Sequence, residues 1–188
     1  ADIPDYTKIV DILNNIGEYI VACKIHCDII NNIEEFKPIL IELSIKFNFL
    51  IMEDRKFNDI SYIVNMQYKN YRNWVDLITV HTLVSNDVIS NLSGVLIVAN
   101  MSNNNYNFTE KAFELAKSNK NNVIGFITQQ KIICNNMICM TPGISLTKKY
   151  INDQQYKTIK DVDTDYIIVG RALYNSNNIK KDITLFLQ

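Results

Sequence analysis

Seven short apolar runs recur along the chain: YIVACKIH (19–26), NFLIMEDRK (48–56), WVDLITVH (74–81), GVLIVANMS (94–102), NVIGFITQ (122–129), MICMTPG (137–143) and DYIIVGRAL (165–173). Each is aliphatic or β-branched and nearly continuous, the pattern of strands buried on both faces in a parallel sheet. Segments with helical periodicity lie between most of them. Residues 5–17 place Ile9, Ile12, Leu13 and Ile16 on one stripe, with Gly17 at the position of a C-terminal cap. Residues 32–47 carry a similar stripe interrupted by Pro38, which marks either a break or a helix start. Residues 108–118 open with Thr109 as a candidate N-cap. Alternating strand and helix predicts an α/β fold.

A parallel (β/α)8 barrel needs eight strands, and the first helix precedes the first of the seven runs. The expected arrangement is therefore a single barrel domain over residues 1–188. Its first strand is largely missing, with Asp2 at that strand's tip.

Residues i and i+2 of a strand share a side. Lys24 and His26 close the first run as a K-x-H pair, with Asp28 two further on, and Asp54 and Lys56 close the second as D-x-K. In a barrel, the C-terminal strand ends build the active site. Adjacent strands then deliver Asp2, Lys24, His26, Asp54 and Lys56 to one mouth. An ion-pair network closing the barrel is the plain alternative. Converging charges at apolar strand ends cost desolvation that a simple cap need not incur, so the cluster is a functional candidate. Glu53 and Arg55 alternate to the other side and are read as supports of the barrel. Near the end of the chain, Gly170 allows close backbone approach and Arg171 offers a fork suited to phosphate. Gln154 and Tyr156 precede that strand with further donors. Together these features suggest a phosphorylated small molecule with a second charged group at its reacting end.

Composition narrows the classes. The 188 residues are 47% hydrophobic and 21% charged, with a net charge of −1. This is ordinary for a soluble domain, and no basic face points to nucleic acid. No apolar run approaches a membrane span, and no signal peptide is evident. Cys23, Cys27, Cys134 and Cys139 match no common zinc spacing. They read as reduced thiols, three of them in or beside apolar runs, which fits a cytoplasmic protein.

The segments ACKIHCDII, FLIMEDRKFNDI, MTPG, QQYKT and IIVGRAL, in this order, strongly resemble the orotidine 5′-phosphate decarboxylase family. The likeness is to its eukaryotic form, often the C-terminal half of a bifunctional UMP synthase, and it covers nearly the whole chain. EDRKFxDI is highly specific to the family; K-x-H alone is not. The resemblance implies a homodimeric (β/α)8 barrel that needs no metal or organic cofactor and converts orotidine 5′-monophosphate to UMP and carbon dioxide. It also implies a possible fused orotate phosphoribosyltransferase domain.

Carried over position by position, Lys56 would protonate C6, Asp54 would lie beside the substrate carboxylate, and Lys24 would hold Asp54 and reach the ribose. Asp59 would enter from the partner subunit. Asp2 would bind a ribose hydroxyl, with His26 on the ribose or phosphate side. Ser102 would contact the pyrimidine amide edge and Pro142 would line the pocket. Gln154, Tyr156 and Arg171, with the Gly170 backbone, would grip the phosphate. His81 also has a family counterpart, but a structural role is the expectation there.

Three features depart from the family pattern. Ser61, Tyr62 and Ile63 replace Gly-Asn-Thr, the loop NNNYNF after Ser102 is short and lacks glycine, and Asn100 stands at an acidic position. They keep open a catalytically impaired barrel with a nucleotide-binding, partner-binding or structural role. A related enzyme of the same superfamily, such as a sugar-phosphate synthase, shares D-x-K-x-x-D. Ser102, TPG and QQY argue against it.

Overall fold

A computed structural model describes residues 1–103, 106–134, 136–147, 149–151 and 154–187. The elements run α1 (Tyr6–Ile16), β1 (Ala22–Ile25), α2 (Ile33–Phe47), β2 (Leu50–Phe57), α3 (Ser61–Tyr68), β3 (Leu77–His81), α4 (Asn86–Ile89), β4 (Val95–Val98) and α5 (Thr109–Ser118). They continue with β5 (Val123–Ile127), β6 (Ile138–Pro142), β7 (Lys149–Ile151), β8 (Gln154–Tyr156), β9 (Tyr166–Ile168), α6 (Arg171–Tyr174) and α7 (Ile179–Thr184). All seven apolar runs contain strands. These pair in parallel in the order β1-β2-β3-β4-β5-β6-β9 and curl into an open barrel. Among the described residues β1 and β9 form its two edges. The Ala1 amino group donates to the Lys24 carbonyl beside the β1 edge. An apolar cavity of about 350 Å³ runs along this open side, lined by Leu13, Met52, Ile168 and Phe186 among others.

Strand alternation divides the core. Met52, Leu77, Leu96, Val98, Ile127 and Met140 fill the concave side of the sheet. Ile78, Val80, Val95, Ile97 and Phe126 face the helices, where they meet Val64, Val88, Ala112 and Leu115. Ile25 and Ile51 pack with Ile9, Leu13, Phe36 and Leu40 of α1 and α2. Each such side chain taken from water contributes about 1.5–3 kcal/mol, so the sheet is held rigidly from its outer face. Cys23, Cys27 and Cys139 are buried and Cys134 is partly so; all four are free thiols.

Local details correct several expectations. Gly17 does not adopt a left-handed cap: its φ is −55°, and it starts a short 3-10 turn. Glycine is required there by space, since a Cβ would lie 2.5 Å from the Phe47 ring. Pro38 neither breaks nor starts α2, which runs from Ile33 through it. Its missing N–H removes one hydrogen bond, and the buried Phe36, Leu40 and Leu43 hold the helix regardless. Thr109 is the first helical residue of α5, not its cap; the Asn107 side chain accepts from Thr109 N at 3.0 Å instead. Gln154 and Tyr156, which the sequence places only as donors ahead of the last strand, lie on an antiparallel β7–β8 hairpin.

Gly94 precedes β4 at φ +63°, and a Cβ there would stand 2.0 Å from the Asp76 carbonyl oxygen. A non-glycine residue in this region carries about 1–3 kcal/mol of backbone strain before any clash. Gly94→Ala is therefore expected to lower the free energy of unfolding by at least about 2 kcal/mol in urea denaturation; an unchanged midpoint contradicts this.

Candidate active site

The site grows from the C-terminal ends of β1 and β2. Register places Lys24 beside Met52, so the residues that follow on each strand, His26 and Asp54, converge above the apolar filling of the barrel. Asp54 is the centre. Its Oδ1 lies 2.9 Å from Lys56 Nζ and its Oδ2 lies 2.9 Å from Lys24 Nζ. His26 Nε2 is 3.4 Å from Oδ2 and 3.3 Å from Lys24 Nζ. Asp2 approaches both Lys24 and His26 at 3.5 Å. Thr79 of β3 completes the shell by donating from Oγ1 to Asp54 Oδ1 at 2.8 Å.

Asp54 is 8% exposed, and burial alone raises a carboxyl pKa. The hydrogen bond from His26 and the charges of Lys24 and Lys56 outweigh that, so the carboxyl is held far below its usual range. Charges about 4 Å apart at an effective dielectric near 20 interact by about 4 kcal/mol, while burying an ion costs several kcal/mol. One lysine roughly offsets the burial of Asp54, and the second makes the ionised state secure. Lys24 is partly buried, which lowers its pKa; Asp54 and Asp2 more than compensate, and the net shift is upward. Asp54 is thus held as a carboxylate and Lys24 as an ammonium near neutrality, with Lys56 Nζ on the other carboxylate oxygen.

Lys56 is held in an unusual backbone. Its φ is +52°, where a bulky residue bears about 1–3 kcal/mol of strain. The ladder between β2 and β3 shifts register at this point: Glu53 pairs with Ile78, and the next pair is Phe57 with Val80. The bulge turns the end of β2 so that Lys56 stays beside Asp54. Glu53 and Arg55 face away, as expected. Glu53 is fully buried and accepts from Cys27 N at 3.0 Å, while Arg55 pairs with Asp28 at 3.4 Å.

The cavity that the cluster faces, about 320 Å³ in all, is completed by later strand ends. Asn100, Met101 and Ser102 follow β4, Pro142 ends β6, Gly143 follows it, and Gly170 and Arg171 follow β9. Ser102 Oγ donates to Gln154 Oε1 at 3.2 Å, linking the loop after β4 to the β7–β8 hairpin. The Arg171 guanidinium sits 5.8 Å from the centre of the Tyr156 ring. Donors therefore crowd one end of the cavity, and the Asp54 cluster occupies the other. Asn100, at the family's acidic position, is tied into the scaffold: it accepts from Thr128 Oγ1 at 2.8 Å and donates to Asn107 Oδ1 at 3.1 Å. The latter bond closes the base of the short loop, of which residues 104 and 105 lie outside the described residues.

Eleven of the twelve site residues expected from sequence line this cavity: Asp2, Lys24, His26, Asp54, Lys56, Ser102, Pro142, Gln154, Tyr156, Gly170 and Arg171. Asp59 is not brought there within its own chain. It is exposed just after β2, accepting from Ile60 N. His81 caps β3 away from the cavity, with its ring against Phe108. Thr79 was missed; inside an apolar run, a threonine reads as an ordinary strand former. His26, Asp28 and Glu53 bring possible metal-ligand atoms within 4.8 Å of one another. Asp28 is already engaged by Arg55, and burial raises the Glu53 carboxyl, disfavouring its charged form.

These features define an α/β barrel with a charged, anion-ready cavity at the C-terminal ends of its strands. The model of the "Orotidine 5'-phosphate decarboxylase / HUMPS family" matches residues 1–184, and the chain belongs to that family. It is 35% identical over 203 residues to the orotidine 5′-phosphate decarboxylase of Saccharomycopsis fibuligera, covering 92% of this chain and 77% of that protein. The protein of the same name from Pichia kudriavzevii is 37% identical over 202 residues, with the same coverage. Among solved structures, the orotidine 5′-phosphate decarboxylase of Pyrococcus horikoshii OT3 superposes with a TM-score of 0.76 at 20% identity, over 98% of this chain and 94% of that one. The inhibitor-bound orotidine 5′-monophosphate decarboxylase of Methanocaldococcus jannaschii gives 0.71 at 21%, over 98% and 93%. At these identities the two structures speak to the fold, which they share with this chain.

The depressed Asp54 pKa has a consequence for stability. A carboxyl whose folded-state pKa lies below its unfolded value of about 3.9 stabilises the fold above that value, and the contribution fades as pH falls toward the folded pKa. Asp54→Asn should therefore be less stable than wild type at pH 7, and the gap should narrow as pH drops below about 4. Urea denaturation across pH tests this; equal stability at pH 7 contradicts it.

Proposed function

We propose that this protein decarboxylates orotidine 5′-monophosphate to UMP in pyrimidine biosynthesis, without metal or organic cofactor. The observation that carries the reading is the Asp54 carboxylate between two lysine ammonium groups at 2.9 Å, facing a cavity whose far end gathers Arg171, Gln154 and Tyr156. The family and the names of the relatives support the same substrate.

In this mechanism Arg171, Gln154, Tyr156 and the Gly170 backbone hold the phosphate. Asp2, Lys24 and His26 meet the ribose side, and Ser102 and Pro142 flank the pyrimidine. The substrate carboxylate lies beside Asp54, whose like charge raises the energy of the bound ground state. The bond from C6 to the carboxylate breaks, carbon dioxide leaves, and the electron pair stays on C6. Lys56 stabilises that charge and transfers a proton to C6, giving UMP; its ammonium is then restored from solvent. Because the charge on C6 exists only near the transition state, a fixed ammonium aimed at it raises turnover rather than substrate affinity. Phosphate binding remote from C6 lowers the barrier by fixing orientation.

The reading includes a homodimer in which Asp59 of one subunit completes the array of the other. The exposure of Asp59 outside its own cavity, with exposed Ile60, Tyr62 and Met66 nearby, supports this. We also propose that the chain acts as one domain in the cytoplasm, in keeping with its free thiols. No helix among the described residues is long and apolar enough to cross a membrane. An orotate phosphoribosyltransferase domain ahead of the barrel would supply its substrate. The intact ionic array disfavours the impaired-barrel alternative, since lost function removes the reason to keep converging charges.

Loss of substrate absorbance on adding purified protein tests the activity. Lys56→Ala should reduce kcat by at least about a thousandfold, some 4 kcal/mol of transition-state stabilisation. A folded wild type without turnover overturns the reading. Subunit sharing has its own test. Lys56→Ala and Asp59→Ala, each nearly inactive alone, should regain activity when dissociated and reassociated together, because a hybrid dimer contains one site with both residues. No recovery contradicts it.

A further inference from the structure

We propose that Thr79 is a positioning residue for catalysis: its hydroxyl sets both the Asp54 carboxylate and the Lys56 main chain in their working positions. This deepens the decarboxylase reading and rests on it. Thr79 lies at the centre of β3 and has no exposed surface. Its Oγ1 donates to Asp54 Oδ1 at 2.8 Å and accepts from Lys56 N at 2.9 Å. One hydroxyl has a single donor and lone pairs to accept, so it meets both neighbours at once.

Its place in the sheet explains why a hydroxyl is needed there. On β2 the paired residues are Glu53 and Phe57, four apart; on β3 they are Ile78 and Val80, two apart. Thr79 is thus the one β3 residue facing the bulged segment. Its backbone is in register with Leu96 on the other side of the strand. The Lys56 N–H, carried out of the ladder by the left-handed turn at φ +52°, finds the Thr79 side chain in place of a strand carbonyl. The same oxygen then fixes Oδ1 of Asp54, the oxygen that holds Lys56 Nζ. A three-part link results: hydroxyl to carboxylate, carboxylate to ammonium, and hydroxyl back to the main chain of that lysine. The carboxylate and the ammonium cannot shift independently while it stands.

Thr79 Oγ1 touches no reacting atom in this account. Removing it should therefore impair the chemical step more than substrate binding. Misplacing a reacting group by about 1 Å can cost a hundredfold in rate. Thr79→Val keeps the shape and β-branching and deletes the hydroxyl; Thr79→Ser keeps the hydroxyl.

The experiment measures kcat and KM for orotidine 5′-monophosphate with wild type, Thr79→Val and Thr79→Ser, on material checked by circular dichroism and thermal melting. The expected result is a fall in kcat of about 10- to 100-fold for Thr79→Val, with KM within about twofold, and recovery to within about threefold of wild type for Thr79→Ser. Should Thr79→Val fail to fold, Thr79→Ser is compared with Thr79→Ala per folded site, and serine should exceed alanine about tenfold in kcat. Equal kcat with and without the hydroxyl overturns the assignment, as does a loss confined to KM. A wild type that leaves the substrate untouched overturns the decarboxylase reading and the Thr79 role with it. An active wild type with an equally active Thr79→Val removes only the latter.

Discussion

The ion pairs of Asp54 with Lys24 and Lys56 constrain the whole structure. A carboxylate this deeply buried persists only if positive charge compensates its lost hydration. Two strands supply that charge, Lys24 from β1 and Lys56 from the end of β2. The parallel register of β1 and β2 puts them on either side of the carboxylate. At the same point the β2–β3 ladder bulges and Lys56 takes a left-handed turn, with its Nζ 2.9 Å from Asp54 Oδ1. Strain in the main chain and electrostatic attraction in the side chains thus oppose each other at one point, and the packed outer face of the sheet supports both. The outward neighbours serve the same end: Glu53 anchors the loop after β1 through Cys27 N.

The two ends of the cavity have different physical characters. At the Asp54 end, charges of both signs lie within 2.9–3.5 Å of one another. At the Arg171 end, donors sit on a helix start and on a hairpin, and the Arg171 guanidinium lies over the Tyr156 ring. An anionic substrate anchored at the second end is presented to fixed charges at the first. In the proposed mechanism that division lets affinity come from groups remote from the reacting carbon, while Lys56 acts on charge that appears only during reaction. The bond from Ser102 to Gln154 spans the mouth between them.

Much of this was legible in the sequence, for identifiable reasons. Continuous apolar runs marked all seven parallel strands because the sheet is covered on both faces. Period-two spacing marked Lys24 with His26 and Asp54 with Lys56, because a strand keeps alternate residues on one side. The specific motifs then carried the remaining contacts across the cavity. What escaped detection depends on contacts between distant segments. Thr79 lies in LITVH, where nothing distinguishes its hydroxyl from a valine methyl until β2 bulges against it. Gly17 looked like a helix cap, and its real constraint is the Phe47 ring from another helix. Pro38 looked like a boundary, and tertiary packing of α2 overrode it. The β7–β8 hairpin has strands of three residues each, too short for a periodic signal.

The most direct test of the central claim, that carbon dioxide departs from C6 and an exchangeable proton takes its place there, is product analysis after turnover of orotidine 5′-monophosphate in heavy water. The account predicts one equivalent of carbon dioxide and UMP carrying a single deuterium at C6. Release of orotate with the carboxyl group retained, or UMP without deuterium at C6, would contradict it.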